Sequence, residues 1–159
     1  DFSGTVTTNI SDVDGKLGVH FPPQRARATR TTAFTLTTGV FAAIPFSTAE
    51  TFDIGGLHDL VTNPSRFTVL FTGKYHVCVM AQFAAHATAE RSLKIRKNAT
   101  TDYAGVTNPV NSGTIVTKVA VCDHVNLAAT DYVEAHAAQA SGGNLDITDA
   151  AMSVSYVGN

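Results

Sequence analysis

Residues 66–98 read RFTVLFTGKYHVCVMAQFAAHATAERSLKIRKN and decide the fold class of this chain. An apolar segment runs into Thr72-Gly73, a long strand follows over residues 74–85, and another begins near Glu90. The long strand is apolar on both faces, with Tyr75, Val77, Val79, Ala81 and Phe83 on one and Cys78, Met80 and Ala84 on the other. Such a strand must be covered twice. We expect the domain's own core on one face and a second layer, or another copy of the chain, on the other.

Length and charge limit the classes of partner. The chain has 159 residues, which is enough for one domain. Its net charge of −2 is close to neutral. These values predict neither nucleic-acid binding nor attraction to an anionic membrane surface. No apolar run approaches the roughly 20 residues of a membrane helix, so we also expect no membrane insertion. Charged residues make up only 15%, against a usual level of about 25%, which suits strands, turns and surfaces hidden in an assembly.

Turn residues divide the rest of the chain into about eight to ten short strands, a spacing typical of a sandwich or jelly roll. The predicted strands are residues 25–31, 35–36, 40–46, 50–54, 66–71, 74–85, 90–97, 114–125, 131–140 and 151–157. Thr38-Gly39 predicts a hairpin between the second and third of these. Asn108-Pro109 predicts a loop after residue 97.

Two Ala-rich runs, residues 81–97 and 132–140, could form helices by propensity. We prefer strands because Leu93 and Ile95 alternate with Ser92 and Lys94, a period of two. Neither run opens with a convincing helix cap.

Residues 1–23 differ from the rest and predict an N-terminal arm or linker, with the domain over residues 24–159. They are polar, rich in Thr, Gly and Asp, and close with Pro22-Pro23. The arm would order against a partner. The chain begins with Asp1 rather than Met, from which we expect processing or further sequence upstream.

The chain carries two cysteines, Cys78 and Cys122, each within an apolar strand. We expect two buried free thiols, with a disulfide between neighbouring strands as the alternative. Their spacing matches no zinc or redox motif. Six histidines show no HxxxH or HExxH spacing, although a threefold axis could gather three copies of His76 or of His136. We interpret them as ordinary strand histidines and predict no metal and no cofactor.

Catalytic signals are weak, and we predict that the chain is not an enzyme. No GxSxG motif or phosphate-cradling glycine loop occurs. In Cys122-Asp123-His124 the cysteine and histidine share one side of a strand, while the aspartate points to the other. A nucleophile needs its base and orienting group within reach, so this segment predicts no catalytic triad.

An ordered series of segments covers the chain from about residue 25 to its end. It consists of Phe52-Asp53 with Gly56-Leu57-His58-Asp59, Asn63 with Ser65-Arg66-Phe67-Thr68, Thr72-Gly73-Lys74-Tyr75, Gln82-Phe83-Ala84-Ala85, residues 91–98 with Thr100, Leu127-Ala128-Ala129 with Asp131-Tyr132-Val133-Glu134, Gln139 with Ser141-Gly142-Gly143, and residues 154–158. The series resembles the trimeric jelly-roll domain shared by complement C1q-like and tumour necrosis factor (TNF)-like proteins. It is most similar to the versions in phage virion proteins such as minor tail proteins, fibre tips and head fibres.

The resemblance implies an all-β jelly-roll sandwich that forms a homotrimer with one sheet facing the threefold axis. That would cover the second apolar face of the long strand. The predicted trimer interface consists of Tyr75, Val77, Cys78, Met80, His136 and Tyr156. For contact with an acidic partner surface or an anionic glycan we expect Arg91, Lys94 and Arg96.

The function implied is that of a non-enzymatic structural protein of a phage virion, an extracellular particle. As a capsid decoration protein or head fibre, it would grip the shell or another virion protein through residues 1–23. As a tail-fibre tip, it would contact host surface glycans through residues 100–112 and 141–149, predicted as loops. The alternative is a secreted C1q/TNF-like binding or signalling trimer.

Overall fold

The computed structural model describes residues 24–110 and 113–158, together with the backbone of two short segments at residues 12–13 and 16–17. This part of the chain forms thirteen strands and no helix. The strands are β1 (Asp12–Val13), β2 (Lys16–Leu17), β3 (Arg25–Arg30), β4 (Phe34–Leu36), β5 (Ala42–Ala43), β6 (Ala49–Ile54), β7 (Arg66–Thr68), β8 (Gly73–Phe83), β9 (Glu90–Lys97), β10 (Thr101–Pro109), β11 (Thr117–Leu127), β12 (Tyr132–Gln139) and β13 (Leu145–Gly158). Within the described residues, none forms a helix long and apolar enough to span a membrane.

Two antiparallel sheets make up the body. One has the order β10-β9-β12-β5, with β7 also paired to β12. The other has the order β11-β8-β13-β3-β6, with β4 also paired to β13. The central neighbours of each sheet lie far apart in sequence, as in a jelly roll. The all-β sandwich predicted from the spacing of turns is therefore confirmed.

The hydrophobic core fills the space between the sheets. From β8 it takes the side chains at alternate positions from Tyr75 to Phe83, and from β9 it takes Leu93 and Ile95. Full burial of one such apolar side chain contributes about 1.5–3 kcal/mol, so the alternation fixes which face of each strand turns inward. The buried Tyr75 hydroxyl lies 2.8 Å from both Gln24 Oε1 and the Phe71 carbonyl oxygen, which satisfies its polar end.

Both Ala-rich runs lie mainly in strands, as predicted. β9 and β12 are neighbours and pair over most of their length, from Lys97 with Val133 to Arg91 with Gln139. Helix propensity is overridden here because β9 buries one apolar face in the sandwich and β12 is buried on both faces.

The hairpin predicted around Thr38-Gly39 is wrong. Gly39 does occupy a turn, with a φ of 74°. However, β4 pairs with β13 in one sheet and β5 pairs with β12 in the other. The turn therefore carries the chain across the sandwich instead of folding it back on the same sheet.

Two further boundaries differ from the prediction. The expected loop through Asn108-Pro109 is the end of β10, which pairs with β9 at the edge of its sheet. Proline is tolerated there because an edge strand need not donate every backbone hydrogen bond. The last strand begins at Leu145, six residues before the predicted start. The predicted arm lies outside the described residues, apart from the pairing of β1 with β2.

Candidate assembly face and cysteine–histidine cluster

The outer face of the six-stranded sheet is uncharged at its centre. We call it the β8 face and define it by His76, Cys78 and Met80 of β8, Ala120, Cys122 and His124 of β11, and Ala151, Ser153 and Ser155 of β13. Directly paired residues share one side of a sheet, so these three strands present their side chains together. Arg25 and Arg27 of β3 lie beyond Ser155 and Ser153 at the next strand.

A disulfide between Cys78 and Cys122 crosses the β8 face. The two residues are direct register partners, with a Cα–Cα distance of 4.1 Å. The expectation of two buried free thiols is therefore wrong, and the alternative of a disulfide between neighbouring strands holds. Cys122 is also exposed, because β11 lies at the edge of its sheet.

Two histidines flank this disulfide on the same side. His76 and His124 are also register partners, and their ring centroids lie 5.0 Å apart. The Nε2 atom of His76 lies 3.5 Å from Cys78 Sγ. The ligand atoms of His76, Cys78 and Cys122 thus lie close together, with the ring of His124 beside them on the neighbouring strand.

Sequence reasoning missed this cluster, although a signal was present. His76-Val77-Cys78 and Cys122-Asp123-His124 are mirror images of one another. In antiparallel strands such a pair of motifs brings cysteine opposite cysteine and histidine opposite histidine when the register is centred. The sequence does not show which residues of the two strands lie opposite each other; the structure supplies this register.

A shallow depression of about 240 Å³ adjoins the disulfide on the β8 face. Its lining includes both cysteines, Met80, Ala151 and Arg27. The depression is too small for a drug-sized ligand, for which sites measure about 300–1,000 Å³. The depression could instead accept an apolar side chain of a partner.

The outer face of the five-stranded sheet is charged. We call it the β9 face and define it by Ser92, Lys94 and Arg96 of β9, Asp102 and Thr107 of β10, and Glu134, His136 and Ala138 of β12. Across its middle, Asp102, Arg96, Glu134 and Arg66 of β7 are successive register partners, so the charges alternate in sign. Each charge on this row has an opposite charge beside it.

Asp102 holds the outer end of that row. Its carboxylate accepts hydrogen bonds from Arg96 Nε at 2.6 Å and from Lys94 Nζ at 2.8 Å. These two bonds lower the pKa of Asp102 to about 2. Phe41 lies over the Lys94 ammonium, 3.9 Å from ring centroid to Nζ, and shields it further.

Glu134 is the buried carboxylate of the row, with only 4% of its surface exposed. Burial alone would raise its pKa, but contacts with His136, Ser65 and Arg66 together lower it. The Ser65 hydroxyl donates to Glu134 Oε1 at 2.9 Å, and His136 Nε2 lies 3.3 Å from Oε2. The carboxylate therefore stays ionised inside the protein.

The predicted interface residues do not share one surface. Cys78 and Met80 lie on the β8 face, as a covered second face requires. Tyr75 and Val77 are fully buried in the core of one chain, so their assignment to an interface is wrong. Both faces of β8 are apolar, and the sequence did not distinguish core from interface.

His136 and Tyr156 also lie elsewhere. His136 is on the β9 face, on the other sheet from Met80. Tyr156 packs edge-on against the core residue Tyr75, with ring centroids 5.4 Å apart, and is only partly buried. Their assignment to a trimer interface stays a prediction, because a cyclic trimer joins two different surfaces of each chain.

The three predicted contact residues divide in the same way. Arg91 is fully buried and donates from Nη1 to the Thr88 and Glu90 carbonyl oxygens, so it cannot contact a partner surface. Its Nε and Nη2 find no partner among the described residues. Lys94 and Arg96 do lie on the outer face, but both are already paired with Asp102.

The two predicted contact loops are largely strands. Residues 101–109 form β10, and residues from 145 onward belong to β13. A short turn over residues 141–143 remains as a loop at that end, with Gly142 at a φ of 91°. Residues 111 and 112 lie outside the described part.

Many solved structures resemble this fold, and two of them are a complement domain and a TNF protein. The globular domain of zebrafish complement 1qA protein matches with a TM-score of 0.62 and 14% sequence identity, over 82% of this chain and 94% of that one. Eiger TNF from S. frugiperda matches with a TM-score of 0.63 and 12% identity, over 87% of this chain and 95% of that one. The chain therefore has a C1q/TNF-like jelly-roll fold. No protein-family model and no curated protein matches its sequence.

Proposed function

We propose that this chain is a non-enzymatic structural protein of a phage virion that assembles as a homotrimer through the β8 face. The observation that carries the trimer is the uncharged centre of this face on an otherwise polar sandwich. Interface cores are depleted of charged residues and enriched in residues such as Met. Closed cyclic symmetry is the common way in which identical chains cover such a surface.

The β9 face is a poor candidate for the same role. Its row of four charges would lose water on assembly, and desolvation of ion pairs costs several kcal/mol per ion. On the β8 face, the charge nearest the centre is Arg27, which lines the depression beside the disulfide and donates a hydrogen bond to Thr51. The three strands that define this face contribute no ion pair to its centre, so less charge would be desolvated there.

The virion assignment rests on the resemblance of the sequence to phage jelly rolls, and the disulfide supports a site of action outside the cell. Disulfides persist in oxidising surroundings, which include the surfaces of virions. On the capsid, residues 1–23 would grip the shell. At a fibre tip, the trimer would contact host glycans.

The second candidate function is a secreted binding or signalling trimer. The likeness in fold to a complement domain and to a TNF protein favours it, and the disulfide suits it equally. The genes that flank the coding sequence distinguish the two candidates. Head or tail genes support the virion protein, while a secretion signal upstream in the same reading frame supports the secreted trimer.

Light scattering tests the assembly. We expect the full chain to have three times its mass of 16.7 kDa. Ala151→Asp places a carboxylate on the β8 face, opposite Met80, and should yield a monomer. Ser92→Asp is the matched control, since it adds the same charge to the β9 face beside cationic residues and should leave a trimer.

A monomeric wild-type chain would contradict the trimer. A trimer that survives Ala151→Asp and dissociates with Ser92→Asp would place the interface on the β9 face instead. Circular dichroism in the near ultraviolet separates loss of assembly from loss of folding, because a folded monomer keeps its fixed aromatic environment.

A further inference from the structure

We propose that the cluster of His76, Cys78, Cys122 and His124 is a redox-dependent zinc site. In the reduced chain its two thiolates and two imidazoles bind one Zn²⁺, and in the oxidised chain the cysteines form the observed disulfide. Either bond would hold β11, an edge strand, to β8. The site takes all four ligands from one chain, so it can form before the β8 face is covered in the proposed trimer.

The donor set matches the metal. Two cysteine sulfurs with two histidine nitrogens form one of the usual tetrahedral ligand sets of structural zinc. Soft thiolates disfavour magnesium and calcium, which take oxygen ligands. The described residues hold these four donors side by side on two paired strands.

The distances also fit. Zn–S bonds of about 2.3 Å and Zn–N bonds of about 2.0–2.1 Å place a sulfur and a nitrogen about 3.6 Å apart in a tetrahedron. His76 Nε2 and Cys78 Sγ are 3.5 Å apart. The ligand atoms of His76, Cys78 and Cys122 all lie within 4.8 Å of one another. His124 is outside this group of three, but its ring centroid lies 5.0 Å from that of His76, and a movement of its side chain would bring in the fourth nitrogen.

The conversion balances with a small thiol as reductant. Two thiol molecules give two electrons and two protons to the Cys78–Cys122 bond, which breaks into two Cys thiols as the reductant forms its own disulfide. Zn²⁺ then displaces the two thiol protons and binds both thiolates. Arg27 lines the same depression, and a nearby cation favours the thiolate form of a cysteine.

Cobalt and zinc titrations of the reduced full chain test the site. Reduction is first verified by counting free thiols, and the metal is then added without oxygen. We expect one Co²⁺ per chain, with the sulfur-to-metal absorption and the visible bands of a tetrahedral site, and its displacement by one equivalent of Zn²⁺. The oxidised chain should bind neither metal at this cluster.

Variants assign the ligands. His76→Ala and His124→Ala should each weaken zinc binding by more than the roughly 10- to 100-fold that loss of an outer-shell partner costs. His86→Ala is the matched control, because His86 lies in the loop after β8 and bonds to Thr88. It should leave the affinity unchanged.

Alkylation of the wild-type thiols gives a readout that needs no variant. Zinc should protect Cys78 and Cys122 together from an alkylating reagent, as measured by mass spectrometry. No metal uptake by the reduced chain would overturn the proposal. Uptake that survives both histidine variants would overturn it too, because binding would then be simple chelation by a dithiol.

Discussion

The β8 face and the β9 face are the two outer surfaces of one sandwich, and they differ in how their polar groups are satisfied. On the β9 face, Asp102, Arg96, Glu134 and Arg66 neutralise one another along a single row. On the β8 face, the corresponding central row of Cys122, Cys78 and Ser153 carries no formal charge until Arg27 of β3, the next register partner. The charges on the five-stranded sheet are neutralised within the chain, while the six-stranded sheet leaves a largely uncharged surface for a partner.

This difference shows that burial within one chain does not identify an interface. The β9 face contains the more buried polar residues, yet its charges are paired internally and need no partner. The β8 face is only half-buried in one chain, and its relief and lack of charge suit a second copy. A face is therefore judged by which of its charges lack an opposite charge, although the buried Nδ1 of His136 on the β9 face has no hydrogen-bond partner among the described residues.

The largest effect should come from breaking the covalent link on the β8 face. The double variant Cys78→Ala with Cys122→Ala should lower the free energy of unfolding by about 2–4 kcal/mol, because the disulfide closes a loop with a sequence separation of 44. Urea unfolding at a fixed chain concentration, in oxidising buffer without metal, measures it. Wild-type protein kept reduced in metal-free buffer that contains a thiol serves as the control and should match the variant. Equal stability of the variant and the oxidised protein would show that the crosslink contributes nothing.

A smaller effect is expected from breaking the internal match on the β9 face. Glu134→Ala should cost about 1–3 kcal/mol, because the Ser65 hydroxyl and His136 lose a buried acceptor. Glu90→Ala removes an exposed carboxylate from the start of β9 and should change stability by less than about 0.5 kcal/mol. Chemical unfolding of both variants makes the comparison. Similar losses would mean that the pairing of charges on this face is unimportant.

The smallest effect concerns acid. The pKa of Asp102 falls from 3.8 to about 2 on folding, so its ion pairs stabilise the folded chain above pH 3.8 and lose this contribution as the pH falls towards 2. Asp102 is half-exposed, so solvent limits the contribution to less than about 1 kcal/mol. Unfolding of wild type and Asp102→Asn across this range should show a difference that shrinks in acid. A constant difference would mean that the charge of Asp102 is not responsible.

Period-two alternation predicted much of the fold from sequence. It identified β8, β9 and β12 as strands and placed Tyr75 and Cys78 on opposite faces. It could not tell which apolar face of β8 is core, because that depends on the layer packed against it. The hairpin prediction failed for β4 and β5, because the turn signal at Gly39 does not indicate with which strand β4 or β5 pairs.

The cluster on the β8 face was harder to predict for a related reason. The pairing of Cys78 with Cys122 depends on β8 and β11 being neighbours, and in the sequence the two are separated by two strands of the other sheet.

The prediction for Arg91 was wrong although the sequence held the information needed to place it. Its charge suggested an exposed contact, but the alternation of β9 places it on the inward face with Leu93 and Ile95.

The pairing of β3 with β13 gives the molecule two distinct ends. Arg25 lies opposite Ser155, so the chain enters the body and completes its last strand at the same end. Any stalk, tag or tether joined before Gln24 or after Gly158 would leave from that pole. The far pole, with the turn at residues 141–143, would then point away from whatever carries the protein. A fluorescent label at residue 142 and one at residue 158 would report opposite ends of the same particle.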